Sequence, residues 1–550
     1  MKRKPFGFFL FSVLFSIALF AGYALEKDGY LSVPAPRTLL LFAAAVLLTF
    51  FITAFLLRLV HHRLLQEENP AVSKATLPYF LKTYLGLVLT HLPVFLGVYP
   101  GFFVYDASDE LNAVLTRTFT THHPLLHVLT MGGTVAGVHK ATGSWNAGIA
   151  VYIGLQALLI LLVYAYVLTF LYQRGVRRSF RILSFFFFGV FPPVVMFTLC
   201  SAKDGLFTAF FLLLLVQLLK LLDEGEAFLH KKLDVALFVI GAAGMLFYRR
   251  NAVYAFLVFV FFFGLYAIRK FRRQPRELFR LLLLIFLPLL IYEAGNRVLI
   301  AATDADDSAR QEMLTVPIMQ LTRTYAEIPE SFSGEEAVLL KKYLPEEALS
   351  SYKPRLSDGV KIHFRNDAYH EDPSSFLKLW FSVGKQHPVS YLNAWLLTSY
   401  GNWYPFAVIN VYEGNTVFTF TYTDSSYFGY EVEAPGVRTS FLPAIDRFYR
   451  KLSIERFQQE IPVVSLLFAP AFYVWVLAFC ALYVFCFGQQ KKRVLFFFLP
   501  LFAYFLTLLL GPTYLLRYTL IFFAVTPLLP LVLRTASSSS HPGPSRSGRS

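Results

Sequence analysis

Apolar stretches long enough to cross a bilayer recur along this chain, and they limit its fold more than any other feature. They fall near residues 7–24, 37–58, 79–99, 146–172, 180–199, 205–222, 232–247, 252–268, 280–299, 460–487, 494–510 and 515–533. A hydrocarbon core about 30 Å thick takes roughly 20 apolar residues as a helix, which satisfies its own backbone where no water can. With 56% of residues hydrophobic and 15% charged, little is left over for a string of soluble domains. Runs such as 185–188, four consecutive Phe, are apolar all round and suit helices facing lipid or one another. The pattern predicts an all-α polytopic membrane protein with about twelve transmembrane helices.

Charge placement orients these spans. The net charge is +15, but the basic residues flank apolar runs and form no aromatic-interleaved patch, so nucleic-acid binding is excluded as a reading. Arg58 and Arg63, then Arg174, Arg177, Arg178 and Arg181, then Lys231 and Lys232, fall in alternate loops. Lys270, Arg272, Arg273 and Arg276, and finally Lys491, Lys492 and Arg493, continue the series, whereas 25–36 on the opposite side is mixed. The positive-inside rule then places both termini in the cytoplasm of a multi-pass plasma-membrane protein. The first run follows Lys2, Arg3 and Lys4 and ends in small residues near Ala24, a pattern shared with cleaved signal peptides. We read it as a retained span; cleavage leaves the remaining topology unchanged. Cys200, Cys480 and Cys486 have neither ligand spacing nor a paired framework.

Two segments on the outer side are too long to be connectors, 100–145 and 300–459. The expected organisation is a transmembrane module over 1–299 with outer loop 100–145, an extracytoplasmic domain over 300–459, C-terminal spans over 460–534, and a disordered cytoplasmic tail over 535–550. The β-favouring stretch 416–422 and the Pro/Gly punctuation around it predict a mixed α/β outer domain. There is no convincing internal repeat of the kind that builds duplicated transporters.

Chemistry-bearing residues gather on that same outer side. Asp106 and Glu110 are four apart, so on a helix they share a face, with Asp109 one turn from Asp106. They can act as a general base, bind a cation, or form a solvated interfacial face. His122, His123, Pro124 and His127 follow. His123 and His127 have zinc-compatible spacing, but no glutamate follows the first His and no third ligand is evident. A His-Pro turn donating hydrogen bonds to a substrate phosphate or hydroxyl fits better, beside the plain reading of structural histidines. Lys203 and Asp204 open one span, Arg249, Arg250 and Asn251 close another, and Arg517 opens the last. These cations run against the positive-inside trend. They either snorkel to headgroups or form a pocket for a phosphate, which Arg engages bidentately; Lys203 and Asp204 can also pair locally. In the large outer segment, Trp380, Trp395, Trp403 and Tyr404 can stack on sugars or anchor at the interface. No phosphate loop, dinucleotide fingerprint or hydrolase elbow occurs in a usable context.

A carboxylate-bearing first outer loop, a His-Pro turn and an outer domain together resemble the GT-C class of integral-membrane glycosyltransferases, which includes protein O-mannosyltransferases and aminoarabinose transferases. More closely, Tyr99-Pro100-Gly101 with Tyr105-Asp106, His122-His123-Pro124-Leu125, Ser201-Ala202-Lys203-Asp204, Arg250-Asn251, Pro317-Ile318-Met319-Gln320 with Arg323, and Trp403-Tyr404-Pro405 look like an uncharacterised bacterial membrane family of that class. The resemblance covers about 99–518. It implies a GT-C-like fold and transfer of a sugar from a polyprenyl-phosphate donor to an acceptor (glycan, lipid or protein) outside the membrane. It also implies that Asp106 is the catalytic base or acceptor-orienting group. Glu110 departs from the amide at that place in the closer family. Lys203, Arg249, Arg250 and Arg517 would neutralise the carrier phosphate, which is also the leaving group. Some members of the class use a divalent cation such as Mg2+ or Mn2+ and others none, so Asp106 and Glu110 leave that requirement open. The alternative is a transporter or flippase of polyprenyl-linked glycans, which should carry its ionisable groups nearer the midplane. A third possibility is a catalytically inactive envelope scaffold.

Overall fold

A computed structural model describes residues 3–32, 34–65, 76–104, 106–407, 432–454, 457–489 and 491–537. Among the described residues, nine helices are long and apolar enough to cross a membrane, and ten if one bent pair counts as a span. The chain is a multi-pass α-helical membrane protein, and its described part holds no β-strand, only three isolated bridges.

The N-terminal module runs α1 (Arg3–Asp28), α2 (Pro36–Leu65), α3 (Thr76–Gly97), α4 (Ala107–Thr116), α5 (Leu125–Thr142) and α6 (Trp145–Gln173). It continues with α7 (Arg178–Val190), α8 (Pro192–Thr198), α9 (Asp204–Glu224), α10 (Lys232–Tyr248), α11 (Asn251–Phe271) and α12 (Pro275–Thr303). At its centre is α9, with 89% of its apolar stretch buried, against 17% for α2. Uniform apolarity serves both: α9 is surrounded by helices, while α2 turns Leu40, Phe51 and Phe55 outward, as lipid-facing side chains are. Small residues set the closest packing. A side chain at Gly241 of α10 would meet the Leu214 backbone nitrogen of α9 at 2.8 Å.

Three expected spans have unequal forms. The run 180–199 is broken by 53° between α7 and α8, where Pro192 and Pro193 remove amide donors and Phe191 is pushed out of helical geometry. Helix α10 has 17 residues, yet Arg249 just beyond its end bonds Asp204 at the start of α9, so the two run antiparallel over the same thickness. The run 494–510 is a shorter apolar helix, Val494–Leu508.

The segment after α12 has its own helical core. Leu314, Ile318, Leu321, Leu340, Tyr343 and Phe376 are buried together from helices Thr315–Glu327, Gly334–Tyr343 and Pro373–Gln386. The second of these begins with a reciprocal cap, Ser333 with Glu336. The expected strand at 416–422 lies outside the described residues, as do Tyr105 and 538–550 of the tail. Glu26 at the end of α1 joins this domain to the bundle through Tyr400 (2.9 Å) and Arg355 (3.5 Å).

Candidate active site

Asp106 and Lys203 are brought together by a short extended contact. Phe102 donates its amide to Leu199 (3.0 Å) and accepts from Ser201 (2.9 Å), a parallel bridge between 102 and 200. The Val104 amide donates to the Ser201 hydroxyl at 3.2 Å. These bonds hold the start of α4 against the start of α9 at one end of the bundle. Arg517 arrives there from helix Leu516–Ala524.

The result is an ionic cluster drawn from α4, the turn before α5, the start of α9 and helix Leu516–Ala524. Lys203 Nζ donates to Asp106 Oδ2 at 2.8 Å, and Arg517 Nη1 reaches the same oxygen at 3.3 Å. Glu110 Oε1 lies 3.8 Å from Lys203 Nζ and 3.7 Å from His123 Nδ1. A lysine can only donate, so His123 Nδ1, 3.4 Å from Lys203 Nζ, is the acceptor and Nε2 carries the proton. Burial would raise the Asp106 carboxyl, but Lys203, Arg517 and His123 outweigh it and hold it well below the usual range. Burial also works against Glu110, which His127, His123 and Lys203 keep below its ordinary value. His123 is pushed down to about 4, chiefly by burial, and is neutral at physiological pH.

Beneath the cluster runs a buried chain of hydrogen bonds. Glu110 Oε2 meets His127 Nδ1 at 2.5 Å, and His127 Nε2 meets the Tyr152 hydroxyl at 2.9 Å. Tyr152 donates to Gln156 Oε1 (2.9 Å), and Gln156 Nε2 donates to the Cys200 carbonyl (2.5 Å). That carbonyl can only accept, so polarity propagates back through Gln156 and Tyr152 and makes His127 Nε2 a donor to the Tyr152 hydroxyl. Helical spacing singled out His127 as a partner of His123; its partners are instead Glu110 and Tyr152.

The same geometry tests the divalent cation. One oxygen or nitrogen each from Asp106, Glu110 and His123 lie within 4.8 Å of one another. The Lys203 ammonium, however, sits 2.8, 3.8 and 3.4 Å from the three groups. A dication about 3 Å from that ammonium would be repelled by roughly 10 kcal/mol at an effective dielectric constant of ~20. The residues as arranged do not fit a metal, because lysine already supplies the cation.

The other candidate residues divide by their partners. Asp204 is fully buried and bonds Arg249 Nε at 2.9 Å, with a second contact from Nη2; Arg249 lies 4.4 Å over the Tyr518 ring. This ion pair locks α9 to α10. His122 is exposed and packs edge-on against His123 at 4.4 Å. Arg250 is half-exposed, 3.7 Å from Asp307, and Asn251 donates to Thr507 at 2.9 Å. Gln320 bonds Tyr391 and Trp380 (3.1 and 2.8 Å), and Arg323 pairs with Glu327 (2.6 Å) inside the domain that follows α12. The Trp403 carbonyl accepts from Trp475 at 2.8 Å, and Tyr404 is buried against Gly22. The structure thus gathers Asp106, Glu110, His123, Lys203 and Arg517, and gives the others separate tasks.

One residue escaped sequence reasoning altogether. Glu433 is buried and accepts the Ser108 amide at 3.1 Å. Burial, then Asp106 and Asp109, push its carboxyl up to about 8, with the Ser108 bond opposing. No motif marks it; its place is visible only in the fold.

Compared with known proteins, residues 113–546 match the model of a family of unknown function (DUF6020). No curated protein and no solved structure matches the chain.

Proposed function

The chain belongs to the DUF6020 family, of unknown function, and we propose that it is a GT-C-type membrane glycosyltransferase. In this reading a polyprenyl-phosphate-linked sugar is transferred to a cell-envelope acceptor (glycan, lipid or protein) outside the plasma membrane. The observation that carries it is a single carboxylate oxygen shared by two cations, Asp106 with Lys203 and Arg517. A sugar transfer from a phosphate carrier needs those parts: a base for the acceptor and positive charge for the leaving phosphate.

Paired with Lys203 and Arg517, Asp106 is a weak base, because its charge is neutralised twice. A donor phosphate competes for Lys203 and Arg517, and their withdrawal restores the basicity of Asp106. The acceptor hydroxyl oxygen then attacks the anomeric carbon and the bond from that carbon to the phosphate oxygen breaks. The hydroxyl proton passes to Asp106. The electron pair stays on the departing phosphate, held by the two cations. No step requires a metal.

The reading keeps twelve crossings, adding the bent pair α7/α8, α10 and Lys491–Leu508 to the nine long spans. With the N-terminus inside, the ends of α3 and α10 and the starts of α9 and Leu516–Ala524 then all face outward. It also keeps a mixed α/β outer domain, on the strength of the 416–422 sequence. The test is Asp106→Asn in cells that depend on the native gene. We expect normal insertion with loss of one envelope glycan; an unchanged glycan profile at normal protein level would sink the reading.

A further inference from the structure

Asp106 occupies the N-cap of α4, where an aspartate ordinarily accepts an amide of the first turn, yet its side chain makes no cap hydrogen bond. Its carboxylate turns instead to Lys203 and Arg517. The amide of Ser108, a normal target of such a cap, goes to Glu433 Oε2 at 3.1 Å, from 325 residues along the chain. The segment bearing Glu433 is itself fastened to this region. The Glu433 amide donates to Phe103 (2.8 Å), and the Ser108 hydroxyl donates to Ala434 (3.1 Å). Asn146 exchanges two hydrogen bonds with Val437, at 2.7 and 2.8 Å.

We infer that Glu433 is a positioning residue, capping α4 in place of Asp106 and so leaving the Asp106 carboxylate to the cations and the substrate. The inference rests on the reading of Asp106 given above. Were Asp106 to cap its own helix, its carboxylate would turn back over the first turn and leave Lys203. Glu433 removes that competition by occupying the donor first. Its other oxygen is buried with no hydrogen-bond partner among the described residues, as suits a group not forced to carry charge. Its carboxyl is held up to about 8, so at neutral pH it accepts the amide without setting a second negative charge beside Asp106. Glutamine reproduces a neutral acceptor; alanine does not.

The experiment is amide hydrogen exchange across 104–116 in the purified full-length protein, with four variants. Glu433→Ala should exchange at Ser108 at least tenfold faster, and Glu433→Gln should match the native protein. Asp106→Ala alone should leave Ser108 protected. Asp106→Ala combined with Glu433→Ala should exchange faster still than Glu433→Ala, because Asp106 restores part of the cap when Glu433 is gone. Native protection at Ser108 in the double variant, or its loss in Asp106→Ala, overturns the inference. Envelope glycan is measured in parallel: Glu433→Ala should lose product and Glu433→Gln should retain it. Exchange as expected with product unchanged in every variant leaves the cap standing and overturns the functional reading alone.

Discussion

Lys203 is the residue on which the chemistry of the cluster turns, since it touches Asp106, Glu110 and His123 at once. Its removal does two things that separate its roles. Transfer should fall about a hundredfold in Lys203→Ala, the usual loss when one preorganised charge at a leaving group is deleted. The three vacated donors, within 4.8 Å of one another, should then bind Mn2+, detectable by electron paramagnetic resonance, while the native protein stays metal-free and insensitive to chelators. Mn2+ bound by the native protein would show that the ammonium yields. Glu433 carries a second prediction. Its folded pKa, about 8, lies above the ordinary 4.5, so the folded state holds its proton longer and stability is lost as pH rises between those values. The gain in Tm of Glu433→Gln over native should therefore grow from about pH 4.5 to about pH 8 and then level off. How much of this was legible beforehand follows from distance along the chain. Asp106, Glu110 and His123 lie within 18 residues, and helical spacing exposes them. Lys203 and Arg517 stand out because they lie at the span ends opposite the loops that collect most of the basic residues. Glu433 lies in a polar stretch with no periodicity, and only tertiary folding gives it a partner.

Among the elements, α9 and α10 form the frame that holds the site, and their junction explains two residues that sequence reasoning assigned to ligand binding. Asp204 and Arg249 are buried against each other, so the charge of Arg249 is already satisfied inside the protein. Deleting one partner strands the other in an apolar setting, at a cost of about 3–5 kcal/mol. Arg249→Ala should lower Tm and yield in detergent. The pair Asp204→Ala with Arg249→Ala should be less destabilised than the two single losses added together. Additive losses would mean that the two residues act independently. Hydrophobic runs located these helices well, because length and apolarity dictate a span. They could not locate the break at Phe191–Pro192 as a 53° bend, since a proline in a span kinks, breaks or is tolerated according to its neighbours.

At the scale of the whole molecule the open question is which compartment the cluster faces, and charge alone argues it. Arg174, Arg177, Arg178, Lys231, Lys270 and Arg272 lie at the end of the bundle opposite Asp106, the end that the positive-inside rule keeps in the cytoplasm. The ionisable groups of the site collect at the other end and away from the midplane, which favours chemistry at an aqueous face over transport through the bundle. Accessible cysteines read this directly. Cys200 and Cys480 are buried and Cys486 is half-buried, so replacing Cys486 with Ser leaves a quiet background. Val338, 73% exposed on helix Gly334–Tyr343 of the domain that follows α12, becomes one reporter. Glu226, exposed in the turn between α9 and α10, becomes the other. In intact cells a membrane-impermeant maleimide should label Val338→Cys and spare Glu226→Cys until the membrane is permeabilised. The reverse pattern would put Asp106, Lys203 and Arg517 in the cytoplasm. An acceptor outside the cell would then be out of their reach, and extracytoplasmic sugar transfer would have to be abandoned whatever the geometry of the cluster.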